Sequence, residues 1–340
     1  MLDLLKHLTS DYAPTGSERN FTTLLTDLLN KVCSSVKTDN MGNILAVIPS
    51  KKPNAKRILL DAHFDEVALV VTGYEKNGFV RFASPFGYDI RTLSSKEVVI
   101  HGKSRINGVI TSIPPHLLKE DSNKYPKEDE LFIDTGYSSE LLETVIPKGT
   151  AITSRAHLTQ LNGDFYSLRA LDNKLGVTAV LAVLDRISKT KLDCEVAVSF
   201  SVQEEAGLRG AGPAAFNINP DVCIVLDVSH AYTPGAKKEK CGECGKGPMI
   251  GISPVLSKSI SDKLIITAKK SEIPYQLEVM GGSTGTNANI ISKVKFGIPT
   301  GLVSIPIKYM HTPAEVFKYS DLTTTVNFIC EFLKYFNNDL

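Results

Sequence analysis

Apolar positions along the chain change period twice, and each change marks a different kind of structure. Phe21, Leu24, Leu25, Leu28, Leu29 and Val32 recur at spacings of three and four behind the capping candidates Thr15 and Ser17, which predicts an amphipathic helix. Strand-like runs follow at NILAVIP (43–49) and RILLDAHFD (57–65). The second is apolar on both faces until its charged end, as a central strand covered on both sides reads. Between about residues 67 and 163 the runs become short and β-rich: VALVVTGY, GFVRFAS, KEVVIHG, RINGVITSI, ELFIDTG and TAITSR, divided by turn pairs such as Asn77-Gly78 and Asn107-Gly108. Close spacing of this kind predicts a small barrel or sandwich inserted into a larger domain. The proline-flanked, charged stretch 114–130 reads as a surface excursion.

From residue 170 helix and strand alternate. NKLGVTAVLAVLDRIS (173–188) is apolar nearly all round and long enough for a buried helix, CEVAVSFSV (194–202) is a strand, and LRGAGPAAF starts a helix. VCIVLDVS (222–229), LEVMGG and GLVSIPIKYM (301–310) read as further strands, LIITAKKSE ends a helix, and Leu322, Val326, Ile329, Leu333 and Phe336 mark the apolar stripe of the last helix. This order predicts an α/β three-layer sandwich with a mostly parallel sheet, formed by 1–66 and 164–340, and an inserted β-barrel-like domain at 67–163.

Composition narrows the function. Thirty-eight basic against 37 acidic residues leave a formal charge of +1, without the basic footprint of a nucleic-acid binder or a polybasic membrane patch. The start, MLDLLKHLTSDYAPTG, has neither the form of a secretory signal nor of a membrane span, so a cytoplasmic protein acting on small molecules or peptides is expected. Six cysteines are sparse, and Cys33, Cys194, Cys223 and Cys330 sit in apolar surroundings. Cys241 and Cys244 form one CxxC without a second pair or nearby histidines, and read as a plain loop.

Ligands of open α/β sheets bind beyond the carboxyl ends of strands. The predicted strands end in Asp61-Ala-His63-Phe-Asp65-Glu66, in Glu204-Glu205, in Asp227-Val-Ser-His230 and in Met310-His311-Thr312, while Asp172-Asn173 opens the buried helix. Singly, each has a plainer reading: Asp172 as a helix cap, the glutamates as solvated or paired with Arg209, the histidines as core residues. Jointly they place too much charge on otherwise apolar elements. A pair of divalent ions sharing a carboxylate accounts for them, and imidazole with carboxylate suits Zn, Co or Mn. His63 and Asp65 point to one side of their strand, so Asp65 is placed to orient the imidazole. His7, His101, His116 and His157 lack such company and read as structural; His230 is left unassigned.

The motifs APTGSE, LDAHFDE, GVITSIPPHLL, ALDNKLG, SVQEEAGLRGA, LDVSHAYTPG, GKGP and IPIKYMHTPAE stand in family order over nearly the whole chain. In these the chain resembles the glutamyl-aminopeptidase and TET-type dimetal aminopeptidases, some members of which carry cellulase-like descriptions. The resemblance implies that Asp172 bridges two metal ions, with Glu205 and His311 completing one site and His63 and Asp227 the other. It also implies that Glu204 is the general base, that Asp65 holds His63, and that the barrel-like domain makes oligomer contacts, from dimers up to twelve-subunit shells. The implied reaction is removal of amino-terminal residues from peptides. A dimetal deacylase or glycan hydrolase on the same fold is the alternative, and a non-enzymatic binding or assembly protein a third reading. Three departures stand out: Asn287 in GTNA where relatives carry Asp, and Lys174 and Lys308 where Arg is usual. A Lys in place of Arg loses bidentate geometry.

Overall fold

The apolar run RILLDAHFD is buried on both faces because the strand it forms, Arg57–His63, lies near the middle of an eleven-stranded sheet. The computed structural model describes residues 1–33, 35–117 and 125–336. Glu195–Ser201, Arg57–His63, Val222–His230 and Thr300–Lys308 run side by side and parallel, so their carboxyl ends open on one rim. Antiparallel strands flank them, Ile44–Ile48 and Val36–Thr38 on one side and Glu315–Lys318, Phe165–Leu168 and Thr159–Gln160 on the other. A branch, Met249–Ile252 and Gln276–Val279, hangs on Thr300–Lys308.

Alternate residues of the central strands serve different layers. Ile58, Leu60 and Ala62 join Val196, Val198 and Phe200 in the main core under the helices Arg19–Leu29, Leu171–Ile187 and Tyr319–Tyr335. Leu59, Ala197, Val225 and Leu302 point the other way, against Ala211–Ile218 and Ala288–Ile291. Each of the larger side chains contributes about 1.5–3 kcal/mol by leaving water, the alanines less, so both faces hold the strands in register. His63 shares the face of Leu59 and Asp61, by the period of two.

The β-rich stretch is a closed antiparallel barrel. Its strands are Leu69–Tyr74, Phe79–Ala83, Leu131–Asp134, Arg105–Ser112, Glu97–His101 and Ala151–Ser154, in that order around the ring. Val71, Val80, Ile100, Ile110, Ile133 and Ile152 fill it, and one short helix, Ser139–Val145, adds Leu142. Asn77-Gly78 is a turn, with Gly78 at φ +85°. Asn107-Gly108 is not: both residues lie inside Arg105–Ser112, and a Cβ on Gly108 would come within 2.5 Å of Ile133. Close approach of the neighbouring strand is the reason for that glycine. Of the surface excursion, Leu117 and Tyr125 are exposed, and 118–124 lie outside the described residues.

Two expectations at the amino end need correction. A helix, Leu2–Ser10, precedes the one expected and buries Leu5 and Leu8. The helix Arg19–Leu29 is capped neither by Thr15 nor by Ser17; Glu18 stands at its cap, and its carboxylate accepts the N–H of Gly16 (2.8 Å) and of Gln203 (3.2 Å). Among the described residues, no helix is long and apolar enough to cross a membrane.

Candidate metal centre

The rim of the parallel strands gathers His63, Asp172, Glu204, Glu205, Asp227 and His311 around one cleft of about 560 Å³. Asp172 stands between the histidines: its Oδ1 is 3.1 Å from Nε2 of His63 and its Oδ2 is 3.4 Å from Nε2 of His311. Asp227 lies 3.6 Å from the same nitrogen of His63, and Glu205 3.4 Å from that of His311. The donor atoms of His63, Asp172 and Asp227 lie within 4.8 Å of one another, as do those of Asp172, Glu205 and His311, and a third grouping joins His63, Glu204 and Glu205.

These residues fit divalent cations on their own chemistry. Burial raises Glu204 to about 9, helped by the carboxylates of Asp227, Glu205 and Asp172, and raises Glu205 to about 7. Desolvation alone would also raise Asp172, but hydrogen bonds from His311 and His63 hold it below the usual range. The same carboxylates overcome the effect of burial on His311 and push it up to about 11, and they raise His63 as well. Four carboxylates and two imidazoles so arranged hold protons where cations would relieve the repulsion. Oε1 of Glu205 is buried and forms no hydrogen bond, as expected of a donor set made for ions.

The chain reaches this arrangement through strained and tightly held backbone. Ala170 (φ 52°), Gln203 (φ 55°), Tyr309 (φ 60°) and His311 (φ 60°) are left-handed non-glycine residues within two positions of a candidate ligand. Such residues cost about 1–3 kcal/mol each and persist where their surroundings dictate them. Asp65 is one holder: it lies 3.4 Å from Nδ1 of His63, an ion-pair rather than a hydrogen-bond distance, and accepts the N–H of Glu204 (3.0 Å) and of Glu205 (3.1 Å). Because the strand ends at Ser201, both glutamates sit in the following turn and enter the same cleft.

Glu315 is a second holder, and sequence reasoning missed it. Its buried carboxylate accepts the N–H of Leu171 (2.6 Å), Asp172 (3.3 Å) and His311 (2.8 Å), tying two ligand segments together. The available signal was a lone acid opening the apolar EVF of a short strand.

The plain reading of Asp172 as a helix cap is corrected by Asn173. Its Oδ1 accepts the N–H of Gly176 (2.9 Å) and its Nδ2 donates to Leu226 O (2.9 Å), which leaves the Asp172 side chain to the cleft. Lys174 is wholly buried, donates to Phe64 O (2.6 Å) and lies 3.5 Å over the Phe21 ring, steadying the strand end after His63. A Cβ on Gly176 would meet Asn173 Oδ1 at 2.4 Å and Leu226 O at 2.8 Å. Gly176→Ala is therefore expected to lower stability by about 1–3 kcal/mol, as overpacking does, measured by denaturant unfolding; an unchanged midpoint would show that the contact gives way freely.

The other departures fall outside the cleft wall. Asn287 is buried and donates to Asp61 (2.9 Å) and Ser201 (2.8 Å), anchoring the loop 281–286 that lines the cleft. Burial raises Asp61 to about 6 against hydrogen bonds from Ser199, Asn287 and Ser201. An Asp at 287 would face that carboxylate at the same distance, so an amide is the compatible partner here. Lys308 lies 5.6 Å over the Phe165 ring. Cys241 and Cys244 belong to none of the cation groupings, and neither do His7, His101, His116, His157 and His230, although His230 and Cys241 reach the cleft wall.

Comparison with known proteins adds the lineage. The family model described as M42 glutamyl aminopeptidase matches residues 42–328. The lysyl aminopeptidase of Pyrococcus furiosus is 31% identical over 95% of this chain and 94% of its own. A TET aminopeptidase from a Thaumarchaeota archaeon superimposes with a TM-score of 0.93 at 27% identity, covering 99% of this chain and 97% of that one. The TET1 peptidase of Pyrococcus horikoshii, described as able to assemble into a tetrahedron or a large octahedral shell, does so with 0.86 at 28% identity, covering 98% and 99%. A match of this extent, on a fold whose strand ends converge on one carboxylate and histidine cluster, makes the chain a member of the M42 glutamyl aminopeptidase family and a peptide hydrolase of the aminopeptidase kind.

Proposed function

We propose that the protein is a dimetal aminopeptidase that removes single residues from the amino ends of short peptides. His63, Asp172 and Asp227 would hold one divalent ion, and Asp172, Glu205 and His311 the other, with Zn or Co the first candidates and Mn the next. The observation that carries this reading is Asp172, whose two oxygens face two different histidines at 3.1 and 3.4 Å. Bound divalent ions supply polarisation of the scissile carbonyl and a water that ionises near neutral pH.

The chain's own residues do the rest. Glu204, buried at the cleft beside the candidate ligands and kept ionised once the divalent charges offset its neighbouring carboxylates, would take a proton from the attacking water and deliver it to the leaving amine. Asp65 keeps Glu204 and Glu205 in register with His63 through their backbone N–H groups. Glu278, half-buried at the cleft wall and held by Ser229 and Ser304, offers a carboxylate near the candidate ligands for the substrate's ammonium. The barrel of the inserted stretch 67–163 is the surface we assign to oligomer contacts, by analogy with TET assemblies. Six free cysteines fit a reducing cytoplasm.

The test is a panel of aminoacyl-nitroanilides assayed after chelation and again after readdition of Zn, Co or Mn. Activity should vanish on chelation and return with at least one metal. Hydrolysis that ignores the chelator, or a panel on which no metal restores activity, would refute the reading; chelator-insensitive cleavage of a β-glucan would favour a glycan hydrolase, which works with two carboxylates and no metal.

A further inference from the structure

We propose that a second cavity, beyond the His311 loop, receives the departing part of the peptide and selects substrates with a free C-terminal carboxylate; this rests on the aminopeptidase reading above. An enzyme that cuts after the first residue has one substrate residue on the amino side of the scissile bond and all the others on the far side. The cleft at the metal centre, walled by Leu277, Val279 and the loop 281–286, serves the first. Adjoining it is a cavity of about 850 Å³, within the range of ligand sites. The two share His230, Lys240, Cys241 and Met310 as a common wall.

The fold makes this second cavity part of the same site. His311 faces the cleft, while its neighbours Thr312, Pro313 and Ala314 line the second cavity. The barrel closes the opposite side with Asp89, Arg91 and Lys96, and the N–H of Asp89 donates to His311 O at 3.1 Å. A peptide passing the ligand loop therefore enters a space between sheet and barrel. Tyr309 and Leu161, large apolar side chains left 50% and 44% exposed, offer it contact area there.

The charges on the two sides are opposite. Glu239 and Glu278 line the cleft in addition to the candidate ligands. Lys240 stands in the shared wall itself, and beyond it the lining carries Arg91 and Lys96 against the single carboxylate of Asp89, which Arg91 already engages with two hydrogen bonds of 2.8 Å. A short peptide is a zwitterion with its ammonium at the end to be cut. The sense of the field matches that dipole, and it favours peptides whose far end is an ionised carboxylate.

The experiment compares kcat/KM for peptides X-Gly-Gly of three, four and five residues, extended with glycine. X is the residue best released from its nitroanilide, and each peptide is assayed as the free acid and as the C-terminal amide with one metal loading. At the length that reaches Lys96 and Lys240 the acid should be preferred by about fivefold, the upper end for a partly exposed ion pair. Lys96→Gln combined with Lys240→Gln should bring the ratio close to one. The ratio is internal to each enzyme, so differences in folding or metal content cancel. A wild-type ratio near one at every length, or a ratio that survives the double substitution, overturns the proposal and leaves nitroanilide hydrolysis, hence the aminopeptidase reading, in place. Failure to hydrolyse any nitroanilide or peptide overturns both.

Discussion

Glu204→Gln is expected to lower kcat on the best aminoacyl-nitroanilide by about 10²–10⁴-fold, the range for a lost general base, with metal content unchanged. The substitution keeps size and shape and removes one proton acceptor. Glu204 lies outside the two groupings that share Asp172, and its backbone N–H, which Asp65 holds at 3.0 Å, is untouched. It also removes one of the carboxylates that crowd the cleft, so folding gains nothing from the original charge. Metal analysis and turnover on the same sample separate the roles. A variant within tenfold of wild type would remove the base assignment, and one that loses metal together with activity would make Glu204 a ligand instead.

The positions of these residues were readable because charge interrupts apolar periodicity there. RILLDAHFD and VCIVLDVS are runs that a core strand requires, and the polar residues at their ends have no packing reason to stand where they do. Parallel strands then bring those ends together, although the residues are as far apart in sequence as His63 and His311. The two-sided burial of the central strands and the β-rich insert followed from period and turn residues in the same way. The barrel's closure did not, because closure depends on pairing between distant strands such as Glu97–His101 with Ala151–Ser154.

What sequence reasoning missed is mostly support. Glu315 acts through backbone N–H groups, and nothing in a period or spacing shows which amides lack a partner. Glu66 was visible only as a second acid after His63, yet it is buried, pairs with Arg169 and accepts the N–H of Ala13 at 2.6 Å. The turn that carries Glu204 and Glu205 depends on a left-handed Gln203, a conformation that residue rarely adopts. The amino-terminal helix escaped notice because LDLLKHLTS is short, and its stability comes from docking Leu5 and Leu8 rather than from its own propensity.

Asp172→Asn should act on the metal before it acts on the chemistry. A carboxylate can offer one oxygen to each of two ions, and the oxygens of Asp172 already face the imidazoles of His63 and His311 at 3.1 and 3.4 Å. An amide of the same shape has one such oxygen, and its NH2 group points a donor at the place where the other cation would sit. Losing a partner that merely orients a ligand costs about 10–100-fold in metal affinity; losing the shared ligand should exceed the upper figure, with activity falling in parallel. Folding itself should survive, because the cap of the helix belongs to Asn173 and the segment is still held by Glu315 through the N–H groups of residues 171 and 172. The thermal midpoint gives an independent reading. Binding to the folded state raises it with added metal in the wild-type protein, and this response should be weakened or lost in the variant. Metal retained at the wild-type level, with an undiminished thermal response, would mean that Asp172 bridges nothing and that the two groupings are not joined through it.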